Sequence, residues 1–203
     1  MFPSISERVR KAVEIAPSGI ATLDVLESLR LCGIDTLKTT LSRLHKKGAV
    51  ARLKRGAYAS LPLRDGFAAA LATFNGYLGF SSALYLHKII AEQPFTITIV
   101  TTATSATKAF GQYEFKAVAL KEKAVGFEYQ GALAISTRAK TLFDCLYLPN
   151  YSIEYDKLVE SFGNAKLSKS EWLEFDEYAK RFVTGKTAER MRKAKREISG
   201  RNE

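Results

Sequence analysis

Residues 33–58 read G-I-D-T-L-K-T-T-L-S-R-L-H-K-K-G-A-V-A-R-L-K-R-G-A-Y, and this stretch restricts the fold most tightly. Ile34, Leu37, Leu41 and Leu44 recur at spacings of three and four, which lays an apolar stripe along a helix of about three turns. Gly48 is placed to stop that helix in a left-handed conformation, and Asp35 or Thr36 to cap its start. Residues 49–53 and 57–61 are short strand-type runs joined by Lys54-Arg55-Gly56, with a glycine where the turn needs a positive φ. The expected local structure is a bounded helix running directly into a small hairpin with a basic tip.

The side of this helix opposite the stripe carries Thr39, Ser42 and Lys46, flanked by Thr36, Lys38 and Arg43, with Asp35 the sole acid in the helix. Hydroxyls bond phosphates and base edges, while Lys and Arg neutralise phosphates and read guanine, so the face has the chemistry to lie in a major groove. A solvated helix face is the other reading, although such faces usually mix in Glu or Asp. A basic helix followed at once by a basic hairpin resembles the recognition helix and wing of a winged helix-turn-helix domain. The candidate DNA-contacting residues read from this face and tip are Thr36, Lys38, Thr39, Ser42, Arg43 and Lys46 on the helix and Lys54 and Arg55 on the hairpin.

A chain of 203 residues, 46% hydrophobic, has room for two small domains with cores of their own. Its net charge of +10 is uneven. Residues 1–64 hold 12 Lys/Arg against 5 Asp/Glu and residues 180–203 hold 9 against 3, whereas residues 65–179 hold 10 against 13. Positive charge concentrated at both ends points to a polyanion met by particular regions. Cys32 and Cys145 lie far apart without a His or Cys cluster beside them, so neither a metal nor any other cofactor is expected, and both read as buried thiols of a cytoplasmic protein. No signal peptide is apparent. Residues 66–87 lack Asp, Glu, Lys and Arg, but Asn75-Gly76 and Gly79 interrupt them, which argues for a turn and against a membrane span.

In chain order, residues 5–15 predict a first helix capped by Ser4 or Ser6, and Thr22 caps a second helix with Val25, Leu26, Leu29 and Leu31 inward. Arg8 and Lys11 on the first helix could touch DNA backbone. The composition changes near residues 62–65, giving an expected domain 1–64 and a second domain 65–203. There, helices at 66–74 and after Ser81 precede strands at 95–100, 113–120, 125–129 and 132–136, with residues 101–111 as a loop. The expected fold is α/β of the α+β kind: a winged helix, then a mixed domain with a mostly antiparallel sheet and C-terminal helices. Thr137 caps the next helix, and helices follow at 155–162, 168–182 and 187–198. The last carries Arg190, Arg192, Lys193, Lys195 and Arg196 and reads equally as a solvated tail or a second DNA contact.

Leu53-Lys54-Arg55-Gly56-Ala57-Tyr58 followed by Gly79-Phe80-Ser81-Ser82-Ala83-Leu84-Tyr85-Leu86-His87 resembles the AbiEi family, the antitoxin half of abortive-infection type IV toxin–antitoxin pairs. Thr101-Thr102, Tyr113-Glu114-Phe115 and Ile135-Ser136-Thr137-Arg138-Ala139-Lys140-Thr141-Leu142-Phe143-Asp144 fall in the family's order, so the resemblance covers roughly residues 5–150. It implies a repressor of its own operon, bound as a monomer or weak dimer, with cooperativity, to inverted repeats of double-stranded promoter DNA. Residues 36–47 and 52–55 would make the DNA contacts, which adds Thr40, Lys47 and Arg52 to the candidates. The second domain would serve antitoxicity against a nucleotidyltransferase-like toxin.

Enzyme activity has little to stand on. His87 sits among Leu84, Leu86 and Ile90 without a nucleophile or carboxylate nearby in sequence, as a core or boundary histidine does. Glu114-Phe115-Lys116 has the acidic-x-Lys pattern of some metal-dependent nucleases, but those need another carboxylate, and Glu92 is the single acid between Asp65 and Glu114. Asp144 and Cys145 read as structural. Beside the repressor stand two alternatives: a winged helix that docks an acidic protein partner, and a nuclease using Glu114.

Overall fold

A computed structural model describes residues 3–200 as two compact units, one ending at Asn75 and the other starting at Gly76. The fold is mixed α and β.

In the first unit, α1 (Ile5–Ile15) begins at a capping box: Ser4 Oγ accepts from Glu7 N while Ser4 N donates to Glu7 Oε2. β1 (Ile20–Thr22) leads into α2 (Leu23–Ser28), whose N-cap is Thr22, and α3 (Ile34–Lys46) follows. β2 (Val50–Lys54) and β3 (Ala57–Ser60) form a hairpin, and β1 pairs with β3, so the antiparallel sheet runs β1-β3-β2. Val9 and Val13 of α1, Leu26 of α2 and Leu37, Leu41 and Leu44 of α3 share one core with Val50 and Tyr58. Of the apolar residues expected inward on α2, Leu26 is buried, but Val25 and Leu29 are about half exposed. A helix of six residues turns one face inward and cannot bury both edges of its stripe.

The unit boundary falls about ten residues later than the composition suggested. α4 (Gly66–Thr73), expected in the second domain, packs on β2 and β3, burying Phe67, Ala69 and Ala70. Its alanine-rich face fills the back of the hairpin, a role that composition alone does not reveal. Neither α4 nor α5 (Phe80–Leu86) continues across Asn75-Gly76, and among the described residues no helix is long and apolar enough to cross a membrane.

The second unit is built on a six-stranded sheet. Its strands are β4 (Tyr77–Leu78), β5 (Thr96–Thr101), β6 (Ala106–Phe110), β7 (Tyr113–Ala119), β8 (Phe127–Gln130) and β9 (Leu133–Ser136), in the order β6-β7-β5-β4-β9-β8. Three of the five pairings are antiparallel, while β4 with β9 and β5 with β7 are parallel, so the sheet is mixed. β6 lies where a loop was expected. It is an edge strand with exposed side chains, so it shows no inward-outward alternation in sequence, and Phe110 against Phe115, at 5.2 Å, ties it down. α5 starts at Phe80 with Gly79 as N-cap, two residues ahead of the expected cap at Ser81.

α6 (Arg138–Tyr147), capped by Thr137, is buried from Ala139 to Leu146 and packs against α5, α8 (Lys169–Phe182) and α9 (Gly185–Ser199). α7 (Tyr155–Ala165) packs on α9. α9 is no solvated tail: Met191, Ala194 and Ile198 are buried, and Lys195 pairs with Asp176 of α8 at 2.6 Å.

Candidate nucleic-acid interface

α3 meets the core through Leu37, Leu41 and Leu44, so the arc opposite them must face water. Thr36, Lys38, Thr39, Ser42, Arg43, Lys46 and Lys47 are all exposed. Thr40 is not. At 6% exposure it lies beside Leu37, Leu41 and Leu44 on the buried side, because position 40 sits three residues from Leu37 and four from Leu44. It therefore leaves the candidate set. The start of the helix also differs from expectation: Gly33 is the N-cap without a side-chain cap, and Asp35 and Thr36 lie inside the first turn.

Local chemistry fixes how α3 passes into the hairpin. Gly48, at φ 69°, turns the chain, and His45 Nδ1 donates to Val50 O at 3.3 Å, tying the last turn of the helix to the first residue of β2. Along β2, Ala51 and Leu53 are buried while Arg52 and Lys54 are exposed, the alternation of a strand with one wet face. The register shifts between Arg52 and Lys54, and Gly56 takes φ 77°. Gly56 O accepts from Leu23 N at 2.7 Å, which anchors the basic turn to the start of α2. Arg55 projects into solvent at the tip.

Electrostatically the surface is one-sided. Residues 36–64 contain eight Lys/Arg and no Asp or Glu. Arg10 and Arg64 share Glu14 of α1, at 3.4 and 3.7 Å. Among the described residues, by contrast, no carboxylate lies within ion-pairing distance of Lys38, Arg43, Lys46, Lys47, Arg52, Lys54 or Arg55. Lys54 Nζ donates to the neutral Asn75 Oδ1 at 3.2 Å, which leaves its charge uncompensated. Uncompensated cations held by a folded helix and hairpin, interleaved with Thr36, Thr39 and Ser42, suit a polyanion with regularly spaced phosphates.

Arg8 and Lys11 are exposed on α1, as expected of backbone-contacting cations. Arg30, which sequence reasoning did not single out, is exposed in the turn between α2 and α3 with φ 51°.

In the second unit, His87 is half-buried and its Nε2 donates to Ser136 O at 2.7 Å, a structural contact. Glu114 accepts from Thr96 Oγ1 at 3.0 Å, and Lys116 Nζ lies 4.9 Å from the centre of the Tyr151 ring. Among the described residues no group of three or more His, Cys, Asp or Glu is placed to hold a metal ion. Cys145 is buried, which pushes its thiol up to about 12, and Cys32 is half-buried. Compared with known proteins, the chain matches no family model and no curated protein.

Proposed function

We propose that this protein is a sequence-specific, double-stranded-DNA-binding transcription regulator whose first unit is a winged helix-turn-helix. One observation carries the reading: α3 and the β2–β3 hairpin expose seven cations with no carboxylate partner among the described residues, beside three short hydroxyl side chains. The order helix, strand, helix, helix, hairpin with a β1-β3-β2 sheet supports it. In that fold α3 lies in the major groove and the hairpin is the wing. Arg43 and Lys46 are the side chains suited to base edges. Lys47, Arg52, Lys54 and Arg55 suit phosphates.

The resemblance to AbiEi antitoxins extends the reading. The protein represses its own operon through inverted repeats, as a monomer or weak dimer that binds cooperatively, and counters a nucleotidyltransferase-like toxin through its second unit. It acts in the cytoplasm as a regulator without catalysis of its own.

The test is a gel shift on the promoter of its own gene over a salt series. Each phosphate neutralised releases counterions, so about five such contacts cost roughly 500-fold in affinity over a fourfold rise in salt. Binding that ignores salt, or equal binding to scrambled and authentic repeats, rules the reading out. Salt-insensitive DNA together with tight capture of an acidic protein would instead make the surface a protein-docking face.

A further inference from the structure

The second unit holds a cleft that DNA binding does not use. Its larger part, about 700 Å³, is walled mainly by Ile89, Ile90, Pro94, Phe95 and Ile153, with the charged Glu92 and Lys157 also lining it. This size falls within the range of small-molecule sites, and the walls have the apolar character such sites share. A recess of about 380 Å³ adjoins it, sharing Ser81, Pro94 and Phe95. Phe95 borders both parts with 87% of its surface exposed, and the next residue, Thr96, the first of β5, lines the recess. A phenylalanine presented this fully to water at the mouth of an apolar cleft gains most from a ligand that covers it.

The recess supplies charge of both signs. Glu114 and Lys116 line it from the same face of β7, separated by the buried Phe115, with Cα atoms roughly 7 Å apart as strand geometry sets. They do not pair with each other. Glu114 is held by the Thr96 hydroxyl at 3.0 Å, and the Lys116 ammonium rests 4.9 Å above Tyr151. Among the described residues neither has an ion-pair partner. A carboxylate and an ammonium held apart, next to an apolar pocket, complement a ligand with an ammonium, a carboxylate and an apolar body on one carbon.

We propose that this cleft binds a free amino acid with a large apolar side chain. Glu114 takes the α-ammonium and Lys116 the α-carboxylate. The side chain lies between Phe95 and the wall of Ile89, Ile90 and Ile153. The site is independent of the DNA-binding reading, and its test does not involve DNA.

The full chain is titrated calorimetrically with L-phenylalanine, 3-phenylpropionate, which lacks the ammonium, and phenethylamine, which lacks the carboxylate. L-Phenylalanine should bind best. Glu114→Gln should weaken L-phenylalanine and phenethylamine about tenfold, the loss of one charge-assisted hydrogen bond, and leave 3-phenylpropionate unchanged. Lys116→Met should weaken L-phenylalanine and 3-phenylpropionate alike and spare phenethylamine. Phe95→Ala should weaken all three. The proposal is overturned by absence of L-phenylalanine binding up to its solubility, or by binding that both charge variants leave intact. Equal affinity for N-acetyl-phenylalanine amide would make the cleft a peptide groove and overturn it as well.

Discussion

Lys140 and Asp144 stand one turn apart on α6, and their side chains pair in the interior of the second unit with neither exposed at all. The ammonium is ringed by Phe143, Tyr178 and Tyr77, with ring centres 5.2, 5.8 and 6.0 Å away. Asp144 Oδ2 has no hydrogen-bond partner among the described residues. Such a pair costs desolvation on both sides, and its mutual attraction offsets this in part. Removing one partner strands the other charge. Asp144→Ala should therefore destabilise the protein by about 3–5 kcal/mol, whereas the double change Lys140→Met with Asp144→Leu should be nearly neutral or stabilising. Urea unfolding of the two variants measures the difference. A double variant as unstable as the single one would mean that the charges hold the packing of α6.

The same pair sets a pH dependence. Burial raises the Asp144 carboxyl to about 6, against an ordinary value of 3.8, because desolvation outweighs the pull of Lys140. Between those values the folded protein holds a proton that the unfolded chain has released. This contribution to stability therefore falls as pH rises through that window and is level above it. Measured against the double variant, which lacks the group, the parent should gain relative stability on acidification from pH 6 to 4. A flat or opposite difference refutes the assignment.

The sequence shows the first unit more clearly than the second, for physical reasons. In α3 a single apolar stripe decides which face is buried, so the exposure of Thr39, Ser42 and Lys46 can be read from spacing alone. Thr40 escaped that reading because a threonine beside a leucine stripe is compatible with either side of its edge. In α6 burial is almost complete, and spacing cannot show that a Lys and an Asp one turn apart point inward instead of forming an ordinary surface pair. β6 was missed because edge strands need no alternation, and the parallel pairing of β5 with β7 arises from a crossover that local patterns do not encode. The place of α4 was hidden in the same way: Ala-rich helices carry little information about which neighbour they cover.

Within the interface, side chains of similar polarity should separate by burial. Arg43→Ala or Lys46→Ala should weaken operator binding by about 1–3 kcal/mol if the residue reads a base edge, with little change in stability. Lys54→Ala should cost less and lower the salt slope by about one. Thr40→Val, being inside the core, should leave affinity and sequence preference unchanged. Quantitative gel shifts at two salt concentrations distinguish these outcomes. A strong loss of sequence preference in Thr40→Val would place that side chain at the DNA after all.

Core and surface can likewise be told apart at Leu41, which has no exposed surface and packs where α3 meets α1. Leu41→Ala removes buried methyl groups and leaves a cavity, a loss of about 2–5 kcal/mol. In a unit of this size that is a large share of the total stability. DNA binding should then fail on modest heating, in step with loss of helical circular dichroism, and a high concentration of operator should restore both. Loss of binding in a Leu41→Ala protein that melts like the parent would contradict the packing described.

The hairpin tip offers a test that changes shape without changing charge. Gly56 holds φ 77°, and a side chain added there would meet only Leu23 Cβ, at 3.9 Å, so the cost of substitution is conformational and not steric. Gly56→Val should cost about 1–2 kcal/mol, the penalty of a left-handed residue with a Cβ, and Gly56→Asn distinctly less, since asparagine tolerates that conformation. The strained turn should also weaken the hydrogen bond from Leu23 N to Gly56 O and release Arg55 from its fixed place. Operator affinity should therefore drop in Gly56→Val and recover in Gly56→Asn, although both keep every cation of the surface. If affinity tracks only the number of positive charges and ignores both substitutions, the hairpin acts as a diffuse cation and not as a positioned wing.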